Sequence, residues 1–218
     1  MVSRLLHGHA RFLVDHDHAT GELLRKLVSL EQNPDAVFVG CSDSRVVPEV
    51  LTSSAPGRIF VVRNVANVVP SFQGKDSSVG AALEYAIGVL KVPHLVVCGH
   101  YGCGGVKAAL DGNIDHAATP SLGEWLAEVR PAVEGARGEN DAARWRSAVE
   151  RNVLNSLNGV ATYEVAKRAL DAGTLELHGW VYDFESLALE VYDATAESFL
   201  SSTEVLERST PSAAGSAT

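Results

Sequence analysis

The chain has 218 residues, 46% of them hydrophobic and 21% charged, which excludes a disordered or fibrous polypeptide and allows a core that needs no disulfide framework. Eighteen Lys and Arg against 27 Asp and Glu leave a net charge of −9 with no basic run, so nucleic acid and anionic membranes are excluded as natural partners. No apolar stretch approaches the roughly 20 residues of a membrane span, and the opening MVSRLLHGHARF has no apolar leader core, so the expected location is the cytoplasm.

Residues 1–32 read as a helical arm. Leu5, Leu6, Phe12, Leu13, Leu23, Leu24, Leu27 and Leu30 recur at roughly helical spacing, with an interruption expected near Gly21. Residues 33–195 read as the body of the protein. Short β-rich runs at 36–40 (AVFVG), 58–63 (RIFVVR) and 94–99 (HLVVCG) each follow a proline or glycine turn signal. A helix is expected over 77–91, with Val79, Leu83, Ile87 and Leu90 on one face, and more helix over 121–129 and 141–171. Residues 174–182 and 187–192, joined around Glu185 and Ser186, predict a late hairpin that adds an antiparallel edge strand. Continuous apolar strands alternating with helices define an α/β fold: a central, mostly parallel sheet flanked by helices. Residues 196–218 end in STPSAAGSAT and are expected to form a disordered tail.

The chain has three cysteines, Cys41, Cys98 and Cys103. An odd, small number in a cytosolic chain argues against structural disulfides and leaves metal binding or catalysis. Cys41 follows the first predicted strand; His100 and Cys103 follow the one at 94–99. Ligands in open α/β sheets gather at the carboxyl ends of parallel strands. Two thiolates and one imidazole favour zinc, and three protein ligands leave a fourth position open for chemistry. The same three residues also read as buried small side chains after strands. Asp43 and Arg45, in CSDSR, form either an ordinary surface pair or, beside a metal, a carboxylate held ionised by its arginine. Gly102, Gly104 and Gly105 precede a helix start at VKAAL, either as a tight turn or as backbone N–H groups facing an anion.

CSDSR at 41–45, RNVAN at 63–67 and GHYGCGG at 99–105 together resemble the signature segments of the β-class carbonic anhydrases. GHARF at 8–12 and HGWVYD at 178–183 extend the likeness from about residue 5 to about residue 192. The resemblance implies one zinc ion per chain held by Cys41, His100 and Cys103, with the Asp43–Arg45 dyad beside it. It implies reversible hydration of carbon dioxide to bicarbonate and a proton by a zinc-bound hydroxide. It also implies a homodimer or tetramer with active sites at the subunit interface. Gln32, nine residues before Cys41, matches a substrate-binding glutamine of plant-like members. Phe60, Val65 and Tyr85 match an aromatic and apolar lining, and Gly104 a backbone donor. In members regulated by bicarbonate a Trp, Arg, Tyr pocket controls a closed form in which the aspartate binds zinc. Here those positions are Phe38, Arg63 and Tyr182, and the missing indole predicts the open form.

Two other functions share these residues. Hydrolysis of carbonyl sulfide or carbon disulfide would use the same scaffold. A zinc-stabilised binding protein would have no use for Asp43, Arg45 and Gln32. Cys98 is expected in the core, Trp125, Trp145 and Trp180 as packing residues, and His7, His9, His16 and His18 as solvated side chains.

Overall fold

The computed structural model describes residues 2–15, 18–73 and 78–209. The helical arm comprises α1 (Val2–Asp15) and α2 (His18–Val28). The body begins with β1 (Ala36–Cys41), α3 (Pro48–Leu51), β2 (Ile59–Asn64) and α4 (Ser78–Leu83), which widens into a π turn over Glu84–Val89. There follow β3 (His94–His100), α5 (Gly104–Asp111), α6 (Pro120–Leu126), α7 (Arg130–Gly135), α8 (Asp141–Val160) and α9 (Glu164–Asp171). The chain closes with β4 (Glu176–Tyr182), β5 (Leu189–Asp193), β6 (Ser198–Ser201) and α10 (Ser202–Ser209).

Among the described residues the sheet has six strands in the order β2-β1-β3-β4-β5-β6. The first four are parallel and the last two antiparallel. Apolar β-branched runs make β1 and β3 the buried centre. Val37 and Val39 pair with Leu95 and Val97, all with no exposed surface, and each such burial contributes about 1.5–3 kcal/mol. α8 lies across β3 and β4 on this face. It can approach closely because Gly99 and Gly179 carry no side chain: a Cβ on Gly99 would come 2.8 Å from Val153, and one on Gly179 would come 3.1 Å from Leu157. The Asn140 side chain starts α8 by accepting a hydrogen bond from the Ala143 N–H at 2.9 Å.

Three details differ from the pattern read in the sequence. Gly21 sits inside α2 rather than interrupting the arm. The late hairpin gains a third strand. Residues 198–209, expected to be disordered, form β6 and α10, while 210–218 lie outside the described residues. β6 is held by backbone pairing to β5 and by Phe199 packed against Tyr192, with ring centroids 5.4 Å apart. Ser201 and Glu204 then form a reciprocal cap: the Glu204 N–H donates to Ser201 Oγ, and the Ser201 N–H to Glu204 Oε2.

Gly159, in the last turn of α8, faces the Val69 backbone so closely that a Cβ there would run into the Val69 carbonyl. On an open helix Gly→Ala gains up to about 1 kcal/mol. Here Gly159→Ala is expected to lose about 1–3 kcal/mol by overpacking, measured by chemical denaturation.

Candidate metal centre

Cys41 is the last residue of β1 and His100 the last of β3, on neighbouring parallel strands with Gly40 opposite Cys98. Beyond His100 the chain turns through Tyr101 and Gly102, and the φ of 74° at Gly102 suits a residue without Cβ. The turn returns Cys103 to the same point, immediately before α5. The two sulfurs are 4.0 Å apart, and ligand atoms of Cys41, His100 and Cys103 all lie within 4.8 Å of one another. Tetrahedral zinc with bonds of about 2.3 Å places two sulfurs about 3.8 Å apart, so the spacing fits one ion.

His100 is fully buried, and its Nδ1 bonds the Tyr101 carbonyl at 3.0 Å. That contact makes Nδ1 the N–H and leaves the Nε2 lone pair for a ligand. Nε2 has no hydrogen-bond partner among the described residues, an arrangement that costs a metal-free fold about 1–3 kcal/mol and that an ion would relieve. Hydrogen bonding from the Cys103 thiol pulls the Cys41 thiol below its usual range against its burial, with backbone N–H groups assisting. The same sulfur–sulfur bond, together with burial, pushes Cys103 up. A dication bound between the sulfurs would displace the remaining thiol proton, since the thiolate is the ligand form.

Asp43 sits at the mouth of this cluster. Arg45 clamps its carboxylate two-pronged, Nε to Oδ1 at 2.9 Å and Nη2 to Oδ2 at 2.8 Å, and the Arg45 N–H adds a bond to Oδ1 at 3.0 Å. The clamp holds the Asp43 carboxyl far below the usual carboxylate range, against a smaller opposing effect of burial. Oδ2 also lies 3.8 Å from His100 Nε2, so the carboxylate faces the ligand side of the cluster. Phe184 supports both partners: its ring is 4.9 Å from the His100 ring and 4.2 Å beneath the Arg45 guanidinium.

The ligand backbone is braced by side chains from other elements. Arg63 donates to the Cys41 carbonyl at 3.1 Å and the Asp43 carbonyl at 2.6 Å. Trp145 Nε1 donates to the Cys103 carbonyl at 3.2 Å. Ala66 and Asn67 adopt left-handed φ values of 63° and 47°, and the Asn152 side chain pins the Ala66 carbonyl at 2.7 Å. A left-handed alanine costs about 1–2 kcal/mol, which this buried bond helps to offset. Trp125 Nε1 bonds the neighbouring Val65 carbonyl at 2.8 Å. Tyr101 is locked from the outside, its hydroxyl oxygen 2.5 Å from Glu190 Oε2 and 2.9 Å from Glu150 Oε1, with Arg146 lying 3.4 Å over its ring.

The structure thus brings Cys41, Asp43, Arg45, His100 and Cys103 together. Gly104 is exposed at the start of α5 with open space around it, and Val65 stands against Gly105, where a Cβ would meet it at 2.9 Å. Gln32, Phe60 and Tyr85 lie elsewhere. Gln32 precedes β1, whose length of about 17 Å runs toward Cys41 at its far end. Phe60 pairs with Val37 near the same amino end, and its ring is 6.1 Å from that of Tyr85, which is 43% exposed. Phe38 is core, edge-on to Trp180, and the Arg63 side chain is engaged on the carbonyls just named. Cys98 is core, and burial raises its thiol to about 12. The indole N–H bonds of Trp125 and Trp145 go beyond the packing role expected of them. The site role of Phe184 has no signal in the sequence except its place one residue after HGWVYD. Among the four amino-terminal histidines, His7 bonds the Ser3 carbonyl within α1, while His16 and the His18 side chain lie outside what is described.

Fold and donor set define a mononuclear zinc protein of the α/β class with one coordination position left open. A family model described as carbonic anhydrase matches residues 36–189. A carbonic anhydrase of Pseudomonas aeruginosa is 40% identical over 204 residues, 92% of this chain and 91% of the relative. Carbonic anhydrase 1 of Escherichia coli O157:H7 is 38% identical, over 82% and 83%. The solved β-carbonic anhydrase CcaA superposes with a TM-score of 0.84 at 32% identity, covering 92% of this chain and 98% of that one. A structure from work on two tetrameric β-carbonic anhydrases of Sordaria macrospora gives 0.77 at 27% identity, over 87% and 95%. The chain belongs to the β-carbonic anhydrases, which are zinc enzymes.

Cys41→Ser is expected to abolish zinc retention through gel filtration, with metal analysis falling from one ion per chain toward none. Full occupancy in that variant would remove Cys41 from the ligand set.

Proposed function

We propose that the chain catalyses the reversible hydration of carbon dioxide to bicarbonate and a proton, with Cys41, His100 and Cys103 holding zinc. When bound, the ion supplies acidified water as the nucleophile; the fall from 15.7 to about 7 is the value for a three-histidine carbonic anhydrase, and thiolate ligands moderate it. The observation that carries the reading is the clamped Asp43 carboxylate, whose Oδ2 faces the ligand nitrogen. A structural zinc site has no use for such a group. Asp43 Oδ2 accepts a hydrogen bond from the nucleophile and orients it, while Arg45 keeps the carboxylate ionised. The Gly104 N–H donates to a substrate oxygen, and Val65 gives the apolar wall an uncharged substrate needs. Asp43 engaged by Arg45 on both oxygens supports the open arrangement near neutral pH.

Gln32, Phe60 and Tyr85 complete this site from a second copy of the chain. Their position at the amino end of β1 and β2, away from their own chain's ligands, supports a homodimer in which each centre receives Gln32 of the partner subunit. The open apolar side chains of α1, among them Leu5, Leu6, Leu13 and Val14, support the same assembly, and pairing of dimers into tetramers follows the Sordaria relatives. Among the described residues no helix is long and apolar enough to cross a membrane. Thiolate ligands suit a reducing compartment, so we infer a cytoplasmic enzyme.

In stopped-flow assays at pH 8 to 9 the zinc-loaded enzyme should hydrate carbon dioxide, and Asp43→Ala should lose roughly a hundredfold or more in kcat. Activity confined to carbonyl sulfide or carbon disulfide would overturn the assignment. Gln32→Ala and Asp43→Ala, each weak alone, should regain about a quarter of wild-type activity when unfolded together and refolded, because half of the dimers are mixed and each of these carries one intact site out of two. No recovery would place Gln32 in its own chain's site. A crystal structure at pH 8 with Asp43 as the fourth zinc ligand would exclude the open form.

A further inference from the structure

A second convergence of ligating side chains lies at the other end of the sheet. His94 opens β3 and Glu176 opens β4; the two are register partners, and His178 stands two residues further along β4, so all three project from one face. His178 Nε2 and His94 Nδ1 are 3.3 Å apart. Glu176 Oε2 lies 3.7 Å from His94 Nδ1 and 3.9 Å from His178 Nε2. The three donor atoms are all within 4.8 Å of one another. Six residue steps along β3, about 20 Å, separate His94 from His100, so none of this belongs to the Cys41 centre of the same chain.

We propose that His94, Glu176 and His178 form a second metal site, for a divalent transition ion of the zinc type. Tetrahedral zinc with bonds of about 2.0–2.1 Å sets two imidazole nitrogens about 3.3–3.4 Å apart, the spacing the histidines already hold. The carboxylate needs to close by only about half an ångström, and at 69% exposure it is free to do so. Both histidines sit on hydrogen-bonded neighbouring strands, so the pair is ordered before any ion arrives, and little ordering entropy opposes binding. Two imidazoles and one carboxylate favour zinc, nickel and copper over magnesium and calcium, and water fills the remaining coordination. Without an ion the contacts are exposed His–Glu pairs, which contribute little.

The test uses full-length enzyme already carrying one zinc per chain at the cysteine centre, dialysed against Zn2+ and separately against Mg2+. Wild type should take up one further zinc per chain and no magnesium. The double variant His94→Gln, His178→Gln should keep the first zinc and lose the second, and Glu176→Gln should bind the second severalfold more weakly. Carbon dioxide hydration should be unchanged in both. No second equivalent in wild type, a second equivalent that survives in the double variant, or equal uptake of magnesium would each overturn the proposal. Should the double variant also lose its first zinc, the exposed Glu176→Gln change decides, and unchanged affinity there would overturn it.

Discussion

Everything at the metal centre depends on the parallel pairing of β1 with β3. Phe38 opposite Val96, Val39 opposite Val97 and Gly40 opposite Cys98 bring the two strands to an end side by side, with Cys41 and His100 at their carboxyl ends. A slip of one residue would turn Cys41 to the opposite face of the sheet. The slip is opposed by the core itself, since it would move Val37 and Val39 off the buried face they share with Leu95 and Val97. The hydrophobic alternation that stabilises the sheet is therefore also what aligns the ligands. Cys103 needs no such long-range control, because Tyr101 and Gly102 return it within three residues of His100.

Electrostatics around the ligands separate their jobs. The two sulfurs lie within hydrogen-bonding reach of each other, and the Tyr101 carbonyl selects the His100 tautomer. Asp43 is held by Arg45, whose five N–H donors match a carboxylate in a way lysine could not. Phe184 joins the halves by lying against one member of each. The neighbouring Cys98 stays a neutral thiol because nothing charged of opposite sign accompanies it into the core.

The ligands were readable from the sequence because each sits at a strand end beside turn residues, and because CSDSR and GHYGCGG carry their own local geometry. That the sheet is mostly parallel follows from continuous apolar runs alternating with helices, whereas the order of its strands emerges only from the fold. What brings Phe184, Trp145 and Arg63 to the site is tertiary, spanning from 22 to more than 40 residues, and single side chains leave no periodic trace of such contacts. The amino end of β1 shows the same limit: Gln32 matches a motif spacing, yet its distance from Cys41 emerges only from the fold. At the carboxyl end the error was of another kind. Residues 198–201 are held by backbone pairing to β5 and by the single aromatic contact of Phe199, neither of which composition registers, although Ser201 and Glu204 do have the spacing of a capping box.

The unpartnered Nε2 of His100 ties the fold to the metal supply. Folding gathers two sulfurs and a dry nitrogen that nothing among the described residues satisfies, and an ion that binds only this assembled state favours it by mass action. Free zinc at a hundred times the dissociation constant would add about 2.7 kcal/mol, and at a thousand times about 4.1. The melting temperature of the protein thereby becomes a gauge of zinc availability, and a cell short of zinc would hold less of the folded enzyme as well as less of the active one.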